Sequence, residues 1–278
     1  MITDTSMTAS TSWNNYLAMT WDKYLPPIRP YDSELNYFKR VVQEYISRKN
    51  SLPSVLILGS TPELRDVVYG FGIQPTVVDY DKDNYKAMSL LLKSQGNDTF
   101  FEMNWLDLNT LVVGQFDYIF SEAAFNVLGH ADALKLYQIC HSLLNRGGQL
   151  VAKQWIRFCN EKPCVEDLID QYRHSDNSRG FYSHTCIPLM LCFYDYEQER
   201  ITLKHLDDCV SHLLAEGKIN KCEQSTIGIH EYQNVNLVLY IPRLIDFLLD
   251  VQNWFHLVSV KVVPTPFSEY HTIFVLEK

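Results

Sequence analysis

The chain of 278 residues is 46% hydrophobic and 21% charged, the balance of a globule that removes roughly 75% of its unfolded surface from water and needs no disulfide or metal staple. Its 24 Lys and Arg against 33 Asp and Glu leave a net charge of −9, which argues against nucleic acid as a partner because a phosphate-backbone footprint calls for a basic face. Seven cysteines, none in a C-x-x-C pair and all scattered among apolar residues, argue against a zinc site and read as buried thiols of a reducing, cytoplasmic compartment.

Residues 1–12 are rich in Thr and Ser and lack Lys, Arg or an apolar h-region, so they read as a disordered tail and not as a secretory signal or transit peptide. An aromatic stretch follows, Trp13, Tyr16, Trp21 and Tyr24, and then Pro26-Pro27-Ile28-Arg29-Pro30, which is too proline-rich for a helix. Asp32 or Ser33 is expected to cap a helix whose Leu35, Phe38, Val42 and Tyr45 share one face, and Asn50 to Pro53 ends it. Residues 13–50 are thus predicted to form an N-terminal lid and helix.

From 51 to 156, the expected cofactor-binding core, short apolar runs alternate with amphipathic helices. The predicted strands are Val55 to Leu58, Thr76 to Asp79, Thr99 to Met103, Asp117 to Phe120 and Gln149 to Lys153. Tyr85, Met88 and Leu92 mark one helix face between them; Leu136, Ile139, Cys140 and Leu143 mark another, which the left-handed turn at Gly147-Gly148 is expected to stop. Crossovers of this length force parallel strands, and a run such as Val55-Leu56-Ile57-Leu58 is covered on both faces. Residues 157–240 break the alternation with two helical patterns (Val165, Leu168, Ile169, Tyr172; then Leu206, Cys209, Val210, Leu213, Leu214 to Gly217) around a Tyr/Phe-rich stretch, a cap or substrate insertion. In 241–278, Pro242 opens a helix carrying Ile245, Leu248, Leu249 and Gln252. The runs Leu257 to Val263 and Thr272 to Leu276 then lie too close together for a parallel crossover. The predicted fold is α/β: a Rossmann-like doubly wound sheet of five parallel strands plus a closing antiparallel pair, with a helical and aromatic cap insertion. No apolar run approaches the ~18 residues of a membrane span.

In such a sheet the ligand lies outside the carboxyl ends of the strands, where strand order reverses. Those ends read Gly59-Ser60-Thr61-Pro62-Glu63, Asp79-Tyr80-Asp81, Asn104-Trp105-Leu106-Asp107 and Ser121-Glu122. The first turn has one glycine where G-x-G-x-x-G would let the backbone approach a pyrophosphate, which disfavours a dinucleotide. Gly59 still permits close approach of a nucleoside, Ser60 or Thr61 can cap the next helix, Pro62 suits its first position and Glu63 its positive dipole end. Asp79 ends the second strand with a carboxylate able to accept both hydroxyls of a ribose. A nucleoside without phosphates is the favoured ligand.

These residues resemble the class I S-adenosylmethionine-dependent methyltransferases over about residues 26 to 155. Leu56-Ile57-Leu58-Gly59-Ser60-Thr61-Pro62-Glu63-Leu64-Arg65 is similar to the first motif and Val77-Val78-Asp79 to the second. Asn104-Trp105-Leu106-Asp107, Phe116-Asp117-Tyr118-Ile119-Phe120-Ser121-Glu122 and Leu144-Asn145-Arg146-Gly147-Gly148-Gln149-Leu150 are similar to the third, fourth and fifth. The Thr-Pro-Glu-Leu-Arg turn departs from the glycine-rich form and is similar to that of a bacterial subgroup. The resemblance implies an antiparallel last strand, S-adenosyl-L-methionine as cofactor and S-adenosyl-L-homocysteine as product. It implies that Gly59, Ser60 and Thr61 line the methionine and ribose, and that Asp79 and Tyr80 hold the ribose hydroxyls and flank the adenine. Asn104 and Trp105 then meet the adenine edge, Ser121 and Glu122 face the sulfonium and the acceptor, and Arg29 pairs with the methionine carboxylate. Trp105 as plain core and Arg29 as a surface residue are the alternatives. Asp117, at the start of its strand, reads as structural.

Methyl transfer from a sulfonium needs approach geometry and a dry pocket, with a base only when the acceptor is a hydroxyl or a protonated amine. Glu122, His130, Tyr182 and His184 are the candidates, Glu122 first and His184 second. Ser121-Glu122-Ala123-Ala124 replaces the Asn/Asp-Pro-Pro-aromatic run of the family's DNA and amide methylases, which argues against amino methylation of nucleic acid. The aromatic lid and Tyr-rich cap either cover a small-molecule or short-peptide acceptor or simply seal the core. Arg157 or Lys153 is available for an anionic acceptor. The expectation is O-methylation of a small molecule or short peptide, without a metal and without a membrane. A nicotinamide-dependent Rossmann enzyme and a catalytically silent methyltransferase-like binding module are the alternatives.

Overall fold

A computed structural model describes residues 21, 26–110, 116–175, 181–224, 237–264 and 268–278; the side chains of residues 110 and 182–184 lie outside that description. Strands β1 (Val55–Leu58), β2 (Thr76–Asp79), β3 (Thr99–Glu102), β4 (Phe116–Glu122) and β5 (Leu144–Trp155) run parallel. A two-stranded antiparallel ribbon, β6 (Ile201–Thr202) and β7 (Val238–Leu239), stands apart from them. The antiparallel β8 (His256–Lys261) and β9 (His271–Glu277) complete the main sheet, whose order is β3-β2-β1-β4-β5-β9-β8. Strand order therefore reverses between β1 and β4, where a crevice opens at their carboxyl ends.

Helices α1 (Asp32–Lys49), α2 (Pro62–Tyr69) and α3 (Lys82–Ser89) precede β3 in the chain, and α4 (His130–Leu143) joins β4 to β5. Between β5 and α9 (Leu244–Val251) lie α5 (Val165–Arg173), α6 (Phe181–Cys192), α7 (Leu203–Ala215) and the short α8 (Lys221–Gln224). Alternation along the strands sorts the sheet core into two layers. Val55 and Ile57 pack with Phe38 and Val42 of α1 and Leu64 and Val68 of α2, while Leu56 and Leu58 pack with Leu136, Cys140 and Phe247 on the other face. Each such fully buried aliphatic side chain contributes about 1.5–3 kcal/mol. A third core gathers α5, α6 and α7 around Met190, Leu206 and Trp155, against the carboxyl end of β5.

Four sequence expectations are corrected. The N-cap of α1 is Tyr31, not Asp32 or Ser33, because Glu34 is turned inward and accepts the Tyr31 N–H at 2.7 Å. Gly147 and Gly148 do not end α4, which stops at Leu143. They form a bulge in β5, where pairing jumps from Phe116↔Leu144 to Tyr118↔Gln149. A Cβ on Gly148 would stand 2.9 Å from the Phe116 carbonyl oxygen, closer than packing allows, so the bulge needs glycine. In α9, Phe247 and Val251 are buried while Ile245 and Leu249 are 54% and 51% exposed, because it is the Phe247 side that packs on the sheet core; the helix opens at Leu244 after an Arg243 N-cap, not at Pro242. All seven cysteines are free, but only Cys140 and Cys186 are buried. The predicted tail 1–12 and the aromatic residues Trp13, Tyr16 and Tyr24 lie outside the described residues, whereas Trp21 is buried. Among the described residues no helix is long and apolar enough to cross a membrane.

Candidate active site

A cavity lies at the carboxyl ends of β1, β2 and β4. Part of its wall is Gly59, Ser60, Thr61, Asp79, Asn84 and Trp105. Gly59 takes φ +89°, donates its N–H to the Val78 carbonyl at 2.8 Å, and would bring a Cβ within 3.7 Å of the Trp105 ring. Its left-handed backbone is what turns β1 into α2. Trp105 belongs to the wall and is fixed there by donating its indole N–H to the Val78 carbonyl at 2.8 Å. The buried Asp79 carboxylate accepts the Ser60 hydroxyl and the Asn84 amide (3.3 Å) on Oδ2 and the Asp81 N–H (3.2 Å) on Oδ1. Burial raises its pKa against the lowering effect of those hydrogen bonds. Asn84 Oδ1 is buried with no partner.

The remaining predicted cofactor residues are not in the wall. Tyr80 is 46% exposed. Asn104 accepts the Leu106 N–H at 3.0 Å, opening the turn that carries Trp105. Ser121 is fully buried, and its hydroxyl accepts the Ala124 N–H at 3.3 Å. Arg29 pairs with Glu63 at 2.7 Å and donates to the Trp21 carbonyl at 3.2 Å, and Glu63 also accepts the Trp21 indole N–H at 2.9 Å. Arg65 pairs with Asp98 and donates to Ser89 at 2.9 Å, and Asp98 also accepts the Tyr69 and Tyr85 hydroxyls. Both charged residues of the Thr-Pro-Glu-Leu-Arg turn thus bind other parts of the chain, Glu63 the N-terminal segment and Arg65 the α3–β3 connection. Asp117 is held at the opposite end of β4 by Ser54 (2.9 Å) and Asn145 (3.0 Å); burial opposes its charge, but these bonds keep its pKa low.

Glu122, the last residue of β4, also lines the cavity, one position beyond the Leu58↔Ser121 pair of β1 and β4. Lys153, its register partner on β5, donates to Glu122 Oε1 (2.8 Å) and the Pro27 carbonyl (3.0 Å) and lies 3.1 Å from Glu34 Oε2. The three ammonium protons are therefore spent. His271 Nδ1 is 3.2 Å from Glu34 Oε1, with its ring stacked on Tyr31. One ammonium cannot neutralise two buried carboxylates. Burial resists the charge on both, but Lys153 and His271 hold the Glu34 pKa down, whereas burial and the Glu34 charge push Glu122 up to about 8 despite Lys153. Burial would lower the Lys153 pKa, yet its two carboxylates raise it, and burial lowers that of His271. Glu122 Oε2 is buried without a partner, on a residue that lines the cavity.

Arg157 is fully committed elsewhere: it donates to the Ile241 carbonyl (2.9 Å), pairs with Glu199 (2.7 Å) and lies over the Tyr194 and Tyr196 rings. Neither Arg157 nor Lys153 is free for an anionic acceptor. His130 pairs with Asp250 at 2.8 Å and stacks on Tyr240, away from the cavity wall. The side chains of Tyr182 and His184 lie outside the described residues. Among the described residues no group of three His, Cys, Asp or Glu could hold a metal ion.

The wall also takes Trp21 and Ile28 from residues 13–50 and Met190, Leu237 and Leu239 from residues 157–240, none of them named individually as a site residue from the sequence, and Trp155. Asn126, fully buried, organises this part of the wall. Its amide donates to the carbonyls of Trp155 (2.9 Å) and Tyr240 (2.8 Å), and its Oδ1 accepts the Trp155 N–H (2.9 Å). A polar residue in the apolar run after β4 was the available signal.

No protein-family model matches the chain, and no curated protein matches it in sequence. Solved structures share its fold. The CcbJ methyltransferase from Streptomyces caelestis is 12% identical with TM-score 0.59, covering 96% of this chain and 98% of its own. A Rhodobacter sphaeroides protein described provisionally as a Zn-dependent alcohol dehydrogenase is 15% identical with TM-score 0.58, covering 94% of each chain. The PH0226 protein from Pyrococcus horikoshii OT3 is 10% identical with TM-score 0.53, covering 92% and 97%. Identities this low speak to fold alone. The chain has the fold of the class I S-adenosylmethionine-dependent methyltransferases, with the antiparallel strand β9 set against β5.

Proposed function

We propose that the chain is an S-adenosylmethionine-dependent methyltransferase that methylates oxygen on a small molecule. The observation that carries this reading is one cavity lined both by the Gly59–Asp79 pair and by Glu122, whose Oε2 has no partner. When bound, S-adenosylmethionine supplies an electrophilic methyl group on a positively charged sulfur. Asp79 would hold the ribose hydroxyls, oriented for it by Ser60 and Asn84, with the unpaired Asn84 Oδ1 offering a further acceptor. Gly59 leaves room for the nucleoside, and Trp105 walls that space. Glu122 Oε2 is placed to take the proton of an acceptor hydroxyl, and its raised pKa suits a general base working near neutral pH. Trp21 and Ile28 from residues 13–50, with Met190, Leu237 and Leu239 from residues 157–240, exclude water; on this reading those two segments are the lid and the cap.

The nicotinamide alternative is disfavoured by the lone glycine of the first turn and by β9. Thermal unfolding with S-adenosylhomocysteine and with NADH tests the proposal. The melting temperature should rise with the first ligand and not the second, and Asp79→Ala should abolish the rise. A wild-type protein indifferent to S-adenosylhomocysteine ends this reading. Binding without transfer of labelled methyl to any acceptor leaves the silent binding module.

A further inference from the structure

Besides the groups around Asp79, the cavity wall carries two buried polar atoms that nothing in the chain satisfies, Trp155 Nε1 and Glu122 Oε2. Trp155 is 8% exposed and the Glu122 side chain 6%. Folded proteins seldom leave such atoms unpaired unless something outside the chain pairs them. Both are rigidly carried: Asn126 clamps the Trp155 backbone on its N–H and its carbonyl, and Lys153 holds Glu122 by the other carboxylate oxygen. Glu122 is the register partner of Lys153, and Trp155 lies two residues further along the same face of β5, so neighbouring strands carry the two atoms. The surrounding wall is apolar or aromatic (Trp21, Ile28, Val127, Met190, Leu237, Leu239), and no Lys or Arg lines the cavity among the described residues.

Resting on the methyltransferase reading above, we infer that the acceptor is a non-anionic, mainly apolar molecule that shares a hydroxyl hydrogen bond with Glu122 Oε2 and receives the Trp155 indole N–H on a carbonyl or ring nitrogen. Trp155 is thereby a specificity-determining residue. The apolar character follows from the wall, which is mostly aliphatic or aromatic. The absence of negative charge follows from the commitment of Lys153 and Arg157 to carboxylates of the chain. A site built to donate to a ligand acceptor rejects an analogue lacking it more strongly than an apolar pocket rejects a missing methylene.

Three probes separate the contacts: 7-hydroxycoumarin has both the hydroxyl and the carbonyl, coumarin only the carbonyl, and 2-naphthol only the hydroxyl. Calorimetric titrations use the full chain saturated with S-adenosylhomocysteine, at a pH where the hydroxyls keep their protons. The expected result is that 7-hydroxycoumarin binds about tenfold or more tightly than either relative, and that Trp155→Phe removes its advantage over 2-naphthol. In the wild type, one indole N–H resonance should move with 7-hydroxycoumarin and coumarin and stay with 2-naphthol, a readout that holds even if Trp155→Phe fails to fold. Equal affinity for the three probes, a uniform loss in the variant, or no binding of any probe while S-adenosylhomocysteine still raises the melting temperature overturns the inference alone. Loss of the S-adenosylhomocysteine response in the wild type overturns the methyltransferase reading with it.

Discussion

Two parts of the cavity wall are built by opposite rules. Around Asp79 the polar groups lie between residues 59 and 84 and mostly satisfy one another, with Asp79 held by Ser60, Asn84 and the Asp81 N–H. The rest of the wall, from Trp21 to Leu239, is mostly apolar, and Glu122 and Trp155 there each keep an unpaired polar atom. A site for one invariant nucleoside can be preorganised by backbone turns and short local hydrogen bonds. A site for a particular acceptor is assembled from distant segments, so it can change by repacking without disturbing the sheet.

The largest test of that contrast is Glu122→Gln, which should lower methyl transfer by about 10²–10⁴-fold while S-adenosylhomocysteine affinity, measured by calorimetry, stays within about twofold. A parallel loss of S-adenosylhomocysteine affinity would make Glu122 a cofactor residue. The wild-type rate should rise with pH up to about 8 as Oε2 loses its proton, and that limb should vanish in the variant. The same raised pKa acts on stability. The Glu122 contribution is fully present below the unfolded value of 4.5 and is lost as pH rises through the folded value, so Glu122→Gln should flatten that part of the denaturation-versus-pH curve.

Next in size, Lys153→Met strands two buried carboxylates and should cost about 3–5 kcal/mol in chemical denaturation at neutral pH. Without the ammonium, burial raises the folded pKa of both carboxylates, so the loss should shrink as pH falls through those raised values towards 4.5, the ordinary glutamate value. Met190→Ala should cost about 2–3 kcal/mol of stability by opening the apolar wall, with S-adenosylhomocysteine affinity retained. Asp79→Asn should do the reverse, weakening S-adenosylhomocysteine by about 10–100-fold at little cost to acceptor-probe binding. If Met190→Ala and Asp79→Asn lose the cofactor product alike, the two parts are one coupled site and the contrast fails. The smallest effect belongs to Ser60→Ala, which removes one hydrogen bond from Asp79 and should weaken S-adenosylhomocysteine by less than about tenfold.

The legible residues share a cause. Gly59 and Asp79 terminate apolar runs, and strand ends in a doubly wound sheet face the ligand whatever lies elsewhere in the chain. Charged and aromatic residues without such a topological address were misplaced. Arg29 and Glu63 sit 34 residues apart and pair with each other. Arg157 pins residues 241 and 199 in place of an anionic acceptor. Lys153 spends its charge on Glu34, a helix residue assigned no role in the sequence reading. The face of α9 was misjudged because several apolar stripes fit one short helix, and only its packing partners choose among them.

By itself the sequence determined the order of strands and helices, the parallel core, the closing antiparallel pair and the strand-end residues Gly59 and Asp79, because hydrophobic periodicity and connection length are local properties of a chain. Tertiary structure alone decided which charges neutralise one another, that Glu122 keeps a free oxygen, and that Trp155, a residue of the cavity wall, keeps a buried indole N–H without a partner. Those outcomes depend on burial and on partners more than a hundred residues away, as between Lys153 and Pro27 or Asn126 and Tyr240. Local pattern carries no record of such distances.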